Sequence, residues 1–313
     1  MKAKLWLKIW IILFLSLIFL SFLFIIYVNK YLNVPLRFTN SISFDSKLAF
    51  IKTSDKIKDT EILILGSSMG LNNINSEILS HDLNNKNILN LSSWGLKTNE
   101  ILDFLKLIHL DNVKKIIYLN QYFDFYGHSI NSYNEKDVQD YIYNKSFLTP
   151  YVNTFFTLSD NFKDYVEWEK RYLSNNKYSS LSFNSSGDVT LNLKTENISK
   201  IRWESVTDVS NLENHYDSLE NMILYLNKKD IEFFLITTPY RNKFFKEDKF
   251  LEQYNTYISK IGSLKTKYDF KYINLQHILN LNDDFFVDSS HLNFKGASLV
   301  SEEVAKHIKE SYK

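Results

Sequence analysis

Two short polar stretches at opposite ends of the chain carry residues able to do chemistry. The first is Gly66-Ser67-Ser68, directly after the apolar run Ile62–Leu65. The second is Asp288-Ser289-Ser290-His291, within FFVDSSHLNFKG at 285–296. A serine hydroxyl is a poor nucleophile at neutral pH and needs a base within hydrogen-bond reach. An Asp three residues before a His in a tight turn can set its carboxylate under Nδ1. That fixes the tautomer and leaves Nε2 to face a hydroxyl. The pair of motifs therefore predicts Ser68 as an activated nucleophile, His291 as its base and Asp288 as the group that orients the ring. Each motif also has a plainer reading. Serines after a strand-ending glycine serve as helix N-caps, and Asp288 or Asn293 can cap a last helix, leaving His291 incidental.

The elements that must position these residues follow from hydrophobic patterning. Ile62–Leu65 reads as a strand buried on both faces, stopped by Gly66 and followed by a helix over about 74–84. Further short apolar runs predict strands at Ile88–Leu91, Ile116–Leu119, Phe233–Thr237 and Tyr272–Leu275. Helical spacing is expected from Thr98 as cap through Ile108, and over Leu219–Leu226, Leu251–Tyr268 and about 294–311. Strands alternating with helices mean a parallel, doubly wound sheet, whose carboxyl edge holds the chemistry. Ser68 should then sit at a strand-to-helix turn on that edge, where backbone N–H groups can hold an oxyanion. Residues 121–211 break the alternation. This Tyr-, Asn-, Ser- and Phe-rich insertion reads as a lid or acceptor-binding cap over the carboxyl edge, or as a surface excursion. A hairpin of Val189–Leu193 with Ile198–Trp203 is expected inside it.

The chain has 313 residues, a net charge of +1 and no cysteine. The charge balance gives no bulk electrostatic case for nucleic acid, and disulfides, thiol nucleophiles and Cys-ligated metals are excluded. Residues 9–28 carry no charge and match the thickness of a bilayer core. Lys2, Lys4 and Lys8 precede them, which places the N-terminus in the cytoplasm and the remainder of the chain outside it. A cleaved signal peptide is the competing reading, but Ile25–Asn29 offers no small-residue cleavage site. The expected organisation is a cytoplasmic tip and transmembrane helix (1–30), a juxtamembrane connector (31–60) with a short packed segment at Leu48–Ile51, and a domain over 61–313.

Taken together, these blocks resemble the SGNH (GDSL-like) hydrolase superfamily. Gly66-Ser67-Ser68 is similar to its nucleophile block and Asp288-x-x-His291 to its C-terminal block. Gly95, after the second strand, matches the position of an oxyanion-hole glycine, and Asn120, after the third, matches an oxyanion-hole asparagine. Ser67 stands where the family usually has Asp, and the glycine of the third block is missing. The resemblance covers about 61–120 and 212–313. It implies a flavodoxin-like three-layer α/β/α sandwich with a five-stranded parallel sheet, a Ser68–His291–Asp288 triad, and an oxyanion hole made by the N–H groups of Ser68 and Gly95 with the Asn120 amide. No cofactor is implied. Gly-Ser-Ser behind one N-terminal transmembrane helix is similar to the D-alanyl transfer proteins of teichoic-acid biosynthesis and to alginate-type O-acetyltransferases. That likeness implies transfer of an acyl group to an envelope glycan or teichoic-acid-like acceptor, with an integral membrane O-acyltransferase as partner. A carbohydrate or lipid esterase uses the same triad, and a non-catalytic accessory protein is the reading from another class.

Other residues are candidates of lesser weight. Tyr240 and Arg241 follow the fourth strand, where Arg241 can bind a substrate carboxylate or phosphate, although a surface loop arginine is the commoner case. Trp94 can stack on a sugar face or anchor its loop. Asp124 and His128 have metal-ligating side chains but no third ligand nearby, so no metal site is expected.

Overall fold

The computed structural model describes residues 2–54, 56–129, 133–143, 145, 148–173, 181–192 and 203–311. Its centre is a five-stranded parallel sheet in the order β2-β1-β3-β4-β5. The strands are β1 (Ile62–Gly66), β2 (Ile88–Asn90), β3 (Lys115–Asn120), β4 (Glu232–Thr237) and β5 (Lys271–Asn274). Every residue of β1, β2 and β3 is buried, as expected for strands covered on both faces. Leu63, Leu65, Ile116, Tyr118 and Leu235 join one apolar cluster, whereas Ile62, Ile64, Ile117, Leu119 and Ile236 join another on the opposite face. The order 2-1-3-4-5 places a topological switch between β1 and β3, where open α/β sheets form their binding crevice.

The helices are α1 (Lys2–Tyr31), α2 (Ile42–Ser54), α3 (Ser68–Asn72), α4 (Ser76–Leu83), α5 (Thr98–Leu107), α6 (Glu135–Ile142), α7 (Thr149–Phe156), α8 (Leu158–Leu173), α9 (Tyr216–Asn227), α10 (Asp248–Lys267), α11 (Leu275–Leu279) and α12 (Phe294–Glu310). Phe44, Leu48, Ile101, Leu105, Leu219, Ile223, Tyr257 and Ile261 cover the first face, from α2, α5, α9 and α10. Leu79, Val300, Val304 and Ile308 cover the second, from α4 and α12. Asn293 caps α12 by accepting from the Gly296 N–H at 3.1 Å, which satisfies one of the donors a helix start leaves open.

The structure refines four expectations. The helix expected over about 74–84 is α4, and a further short helix, α3, precedes it, with Ile74 buried in the turn between them. Thr98 is the first residue of α5 rather than its cap, because its hydroxyl is engaged by Tyr118 Oη and the Asp124 carbonyl. In the segment 31–60 the packed stretch expected at Leu48–Ile51 is part of a longer helix, α2, whose Phe44, Leu48 and Ile51 are fully buried in the core. The insertion, finally, brings Phe123 and Ser205–Thr207 to the cavity at the carboxyl edge, whereas among the described residues its helices α6–α8 do not line it. Among the described residues, α7 packs along α1, α6 packs on α2, and Asn184–Leu191 runs beside β2, the end of α3 and the starts of α4 and α12. Asn90 N–H donates to Ser186 O at 2.7 Å, Val189 N–H to Leu71 O at 3.0 Å, and Phe294 N–H to Leu191 O at 2.9 Å. The other half of the expected hairpin, up to Arg202, lies outside the described residues.

One buried polar network ties this segment in place. Lys47 Nζ, on α2, donates to the carbonyls of Asn90 and Gly187 at 3.0 and 2.5 Å. Asp188 accepts from Ser76 N–H, Ser76 Oγ and Asn90 Nδ2 at 2.5, 2.7 and 2.6 Å. Buried polar groups need such partners, since each one left unpaired costs ~1–3 kcal/mol.

Candidate active site

The turn after β1 is shaped by a glycine that has no room for a side chain. A Cβ on Gly66 would lie 2.7 Å from both Leu119 O and Gly70 N, so only glycine lets α3 start this close to the strand ends. Ser67 then caps α3, its Oγ accepting from Met69 N–H at 3.2 Å. Ser68 is the first helical residue. From Ile62 to Ser76 every residue is buried except Ser68. A fold that hides both flanks of a polar triplet and opens its third member presents one hydroxyl.

That hydroxyl faces a cavity of about 480 Å³ lined by Ser68, Trp94, Gly95, Phe123, Ser205–Thr207 and Asp288–His291. Both carboxylate oxygens of Asp288 lie against His291 Nδ1, at 3.0 and 2.9 Å. Asp288 Oδ1 also accepts from the N–H groups of Ser290 and His291, at 2.9 and 2.7 Å, so the carboxylate that orients the ring builds the turn as well. With Nδ1 held, the basic edge of the ring is Nε2. Gly95 adopts φ +76°, a left-handed conformation open to glycine at little cost, in a loop anchored by Trp94 N–H on Ser43 Oγ at 3.3 Å and by Ser43 Oγ on Ser93 Oγ at 2.9 Å.

Of the residues singled out from the sequence, Ser68, Trp94, Gly95, Asp288 and His291 thus come together around one cavity. The others do not. Asn120 is fully buried beneath the sheet edge. Its Nδ2 donates to the carbonyls of Tyr118 and Ile236 at 3.2 Å each, and its Oδ1 accepts from Tyr257 Oη at 2.6 Å, so its amide is committed to the fold rather than to an oxyanion. Tyr240 is fully buried, with its hydroxyl accepting from Tyr122 N–H at 2.8 Å. Arg241 is 3% exposed. Its Nε and Nη2 grip Asp283 at 2.9 and 2.6 Å, Nη1 donates to the Trp203 carbonyl at 2.5 Å, and the guanidinium lies 3.5 Å from the Trp203 ring centroid. A guanidinium saturated this way is a structural pin, not a substrate clamp. Trp94 donates from Nε1 to Asn72 Oδ1 at 2.9 Å, which sets its ring as part of the cavity wall. Asp124 is buried while His128 is exposed.

Three functional placements escape sequence reasoning. Asn73, fully buried, bridges the two motifs: its Nδ2 donates to Ser290 O at 3.0 Å and its Oδ1 accepts from Leu292 N–H at 2.8 Å. The signal was a polar pair, Asn72-Asn73, between Leu71 and Ile74. Asp124 accepts from Gln121 N–H at 2.8 Å and is hydrogen-bonded to the Ser67 side chain. Burial pushes its carboxyl up to about 6, against the opposing pull of Lys97, the Ser67 hydroxyl, the Gln121 N–H and His291. Phe123 and Ser205–Thr207 supply the wall of the cavity that comes from the insertion.

Among the described residues no cluster of three or more His, Asp or Glu side chains is arranged to hold a metal ion. No protein-family model matches the chain, and no curated protein matches it.

Proposed function

We propose that the protein is a membrane-anchored serine acyltransferase of SGNH type, acting outside the cytoplasm on a hydroxyl of a cell-envelope polysaccharide. The observation that carries this reading is the cavity lined both by Ser68, the one opened residue of its segment, and by His291 gripped at Nδ1 by Asp288. In the first step Ser68 Oγ attacks the carbonyl carbon of an acyl ester while His291 Nε2 takes the hydroxyl proton. In this reading the N–H groups of Ser68 and Gly95 receive the oxyanion, one such donor being worth ~10²–10³ in rate. Collapse breaks the acyl–oxygen bond of the donor, and His291 returns the proton to the leaving alcohol. The acyl-serine is then attacked by an acceptor hydroxyl through the same base, and Ser68 is regenerated.

The anchor is the apolar helix α1, whose window of highest hydropathy averages 3.0. Lys2, Lys4 and Lys8 at its start favour a cytoplasmic N-terminus. Ile25 and Val28 are buried against the folded domain, which supports a retained anchor over a cleaved leader. The resemblance to envelope acylation proteins supports an acceptor glycan or teichoic-acid-like polymer, and an integral membrane O-acyltransferase as donor-side partner. Esterase activity is the second reading, favoured by one feature: among the described residues, α6–α8 contribute nothing to the cavity wall, so none of these helices shields Ser68 from water.

The test is product partition. Purified full-length protein is given an activated acetyl ester with and without an O-deacetylated glycan fragment. A transferase gives acetylated glycan at the expense of free acetate. An esterase gives acetate at the same rate in both, and a non-catalytic scaffold gives neither.

A further inference from the structure

The sequence marks one helix as apolar enough to cross a bilayer, yet a second helix lies alongside it at the same depth. α7 packs against the C-terminal half of α1. One face of α1 is covered from Ile18 onward: Ile18 and Phe22 are half-buried, Ile25 and Val28 buried. The Phe155 ring of α7 stacks on Phe22 at 5.2 Å between centroids and 6° between planes, and Phe162 of α8 packs on Phe24 at 6.3 Å. Phe22 precedes Tyr27 and Tyr31 by five and nine residues, roughly 8–14 Å at the helical rise. Those two tyrosines, in tilted ring contact at 5.2 Å with Lys30 over the Tyr31 ring, have the composition of an interfacial belt. α7 therefore lies on the hydrocarbon side of the belt, beside α1 residues such as Phe19 and Leu23 that are exposed on its other faces.

The outer face of α7 fits that position. Leu148, Val152 and Phe156, four residues apart in turn, are 68%, 37% and 79% exposed. Ser146–Ser159 contains no charged residue, in a chain that is 23% charged. An exposed apolar stripe of this kind on a soluble surface marks a contact site, and a segment of this length suits an interfacial element rather than a span. Polar groups of both α7 and α8 are tied down: Thr154 Oγ1 of α7 accepts from Arg37 N–H at 2.9 Å and donates to Pro150 O at 2.8 Å, while in α8 Asn161 Nδ2 donates to Pro35 O at 3.2 Å and Tyr165 Oη to Leu32 O at 3.0 Å. α7 and α8 are thus fixed to the segment that leaves the membrane.

We propose that α7, with Phe162 of α8, is a second membrane element that lies in the outer leaflet beside α1, its Leu148–Val152–Phe156 face against lipid. The partner is the acyl-chain and headgroup boundary of the bilayer. The element removes the swivel of a single-helix anchor and holds the domain at a fixed height. Through α2, whose Ser43 hydroxyl meets the Ser93–Trp94 loop, that height is passed to the wall of the candidate active site. This inference rests on α1 being a retained span.

The chain has no cysteine, so single-cysteine spin labelling needs no background substitutions. Full-length Val152→Cys and Phe156→Cys are labelled and reconstituted in phosphatidylcholine–phosphatidylglycerol vesicles. Phe19→Cys serves as the span control and Lys228→Cys as the aqueous control. Power saturation with oxygen and with a water-soluble nickel chelate then reads the surroundings of each label. The expected result is that positions 152 and 156 are open to oxygen and shielded from nickel, as position 19 is, whereas position 228 is open to nickel. Nickel access at 152 and 156 with position 19 shielded would overturn the inference and leave the anchor intact. Labels at 152 and 156 shielded from both reagents would also overturn it, in favour of a second copy of the chain covering the stripe. Nickel access at position 19 would remove the membrane reading and this inference with it. Two independent positions on the stripe guard against one misfolded variant.

Discussion

Asn73 joins the Ser68 segment to the His291 turn: its amide donates to Ser290 O at 3.0 Å while its oxygen accepts from Leu292 N–H at 2.8 Å. Both contacts flank His291, so the separation of the two motifs is set by one side chain five residues after Ser68. Asn73→Ala leaves two buried backbone groups without partners, at ~1–3 kcal/mol each. It is expected to lower unfolding free energy in urea by about 2–6 kcal/mol. In the fraction that stays folded it is also expected to slow acylation of Ser68 by active-site probes, a change that a purely structural residue would not produce.

Asp288 has two duties that a substitution can separate. Asn at this position keeps an oxygen for the N–H groups of Ser290 and His291, so the turn survives. It loses the carboxylate that fixes Nδ1 protonated and stabilises the imidazolium. Asp288→Asn should therefore leave the melting temperature close to wild type while reducing the acylation rate by ~10⁴. Circular dichroism melts and single-turnover acylation measure the two effects side by side.

Much of this was legible in the sequence, and the misses share a cause. The central strands were readable because runs such as Ile62–Leu65 and Phe233–Ile236 are buried on both faces and so are apolar throughout. Ser68, Asp288 and His291 were readable because the turns that bring them to the cavity are local in sequence. Asn120 was not, because its role is decided by Tyr257 Oη on a distant helix. Arg241 was not, because its partners are the half-exposed Asp283 and the Trp203 ring. α2 was hidden by its own content: Ser43, Asp45, Ser46 and Lys47 are all buried, so no apolar stripe marks the helix. The seating of α7 on α1 was hidden because α1 is apolar on every side, and a uniformly apolar helix does not reveal which face is covered.

Arg241 gives a prediction that separates a structural pin from a substrate clamp. Arg241→Ala removes the paired contact with Asp283 and the stack on Trp203. It should lower stability by about 1–3 kcal/mol and leave KM for a charged ester and for a neutral one in the wild-type ratio. Urea titration and steady-state kinetics on the two esters check it.

Asp124 gives a pH dependence. Its carboxyl is raised by burial from 3.8 to about 6, so between these values the folded state holds a proton that the unfolded chain has released. Stability from this group is fully present below about pH 4 and is lost as pH rises through 6, by up to roughly 3 kcal/mol. Asp124→Asn retains the acceptor for Gln121 N–H and removes the titration. Wild type should therefore lose stability relative to Asp124→Asn between pH 4 and 7, measured as the difference in urea midpoints at fixed ionic strength.

The most direct measurement is covalent. Full-length wild type, Ser67→Ala, Ser68→Ala and His291→Ala are treated with a fluorophosphonate probe. The account predicts labelling of wild type and of Ser67→Ala, the latter with stability reduced by ~1 kcal/mol through loss of its cap. It predicts no labelling of Ser68→Ala and at most a trace in His291→Ala. Labelling that persists without the Ser68 hydroxyl, or a wild-type protein inert to the probe, would contradict an activated serine at this site.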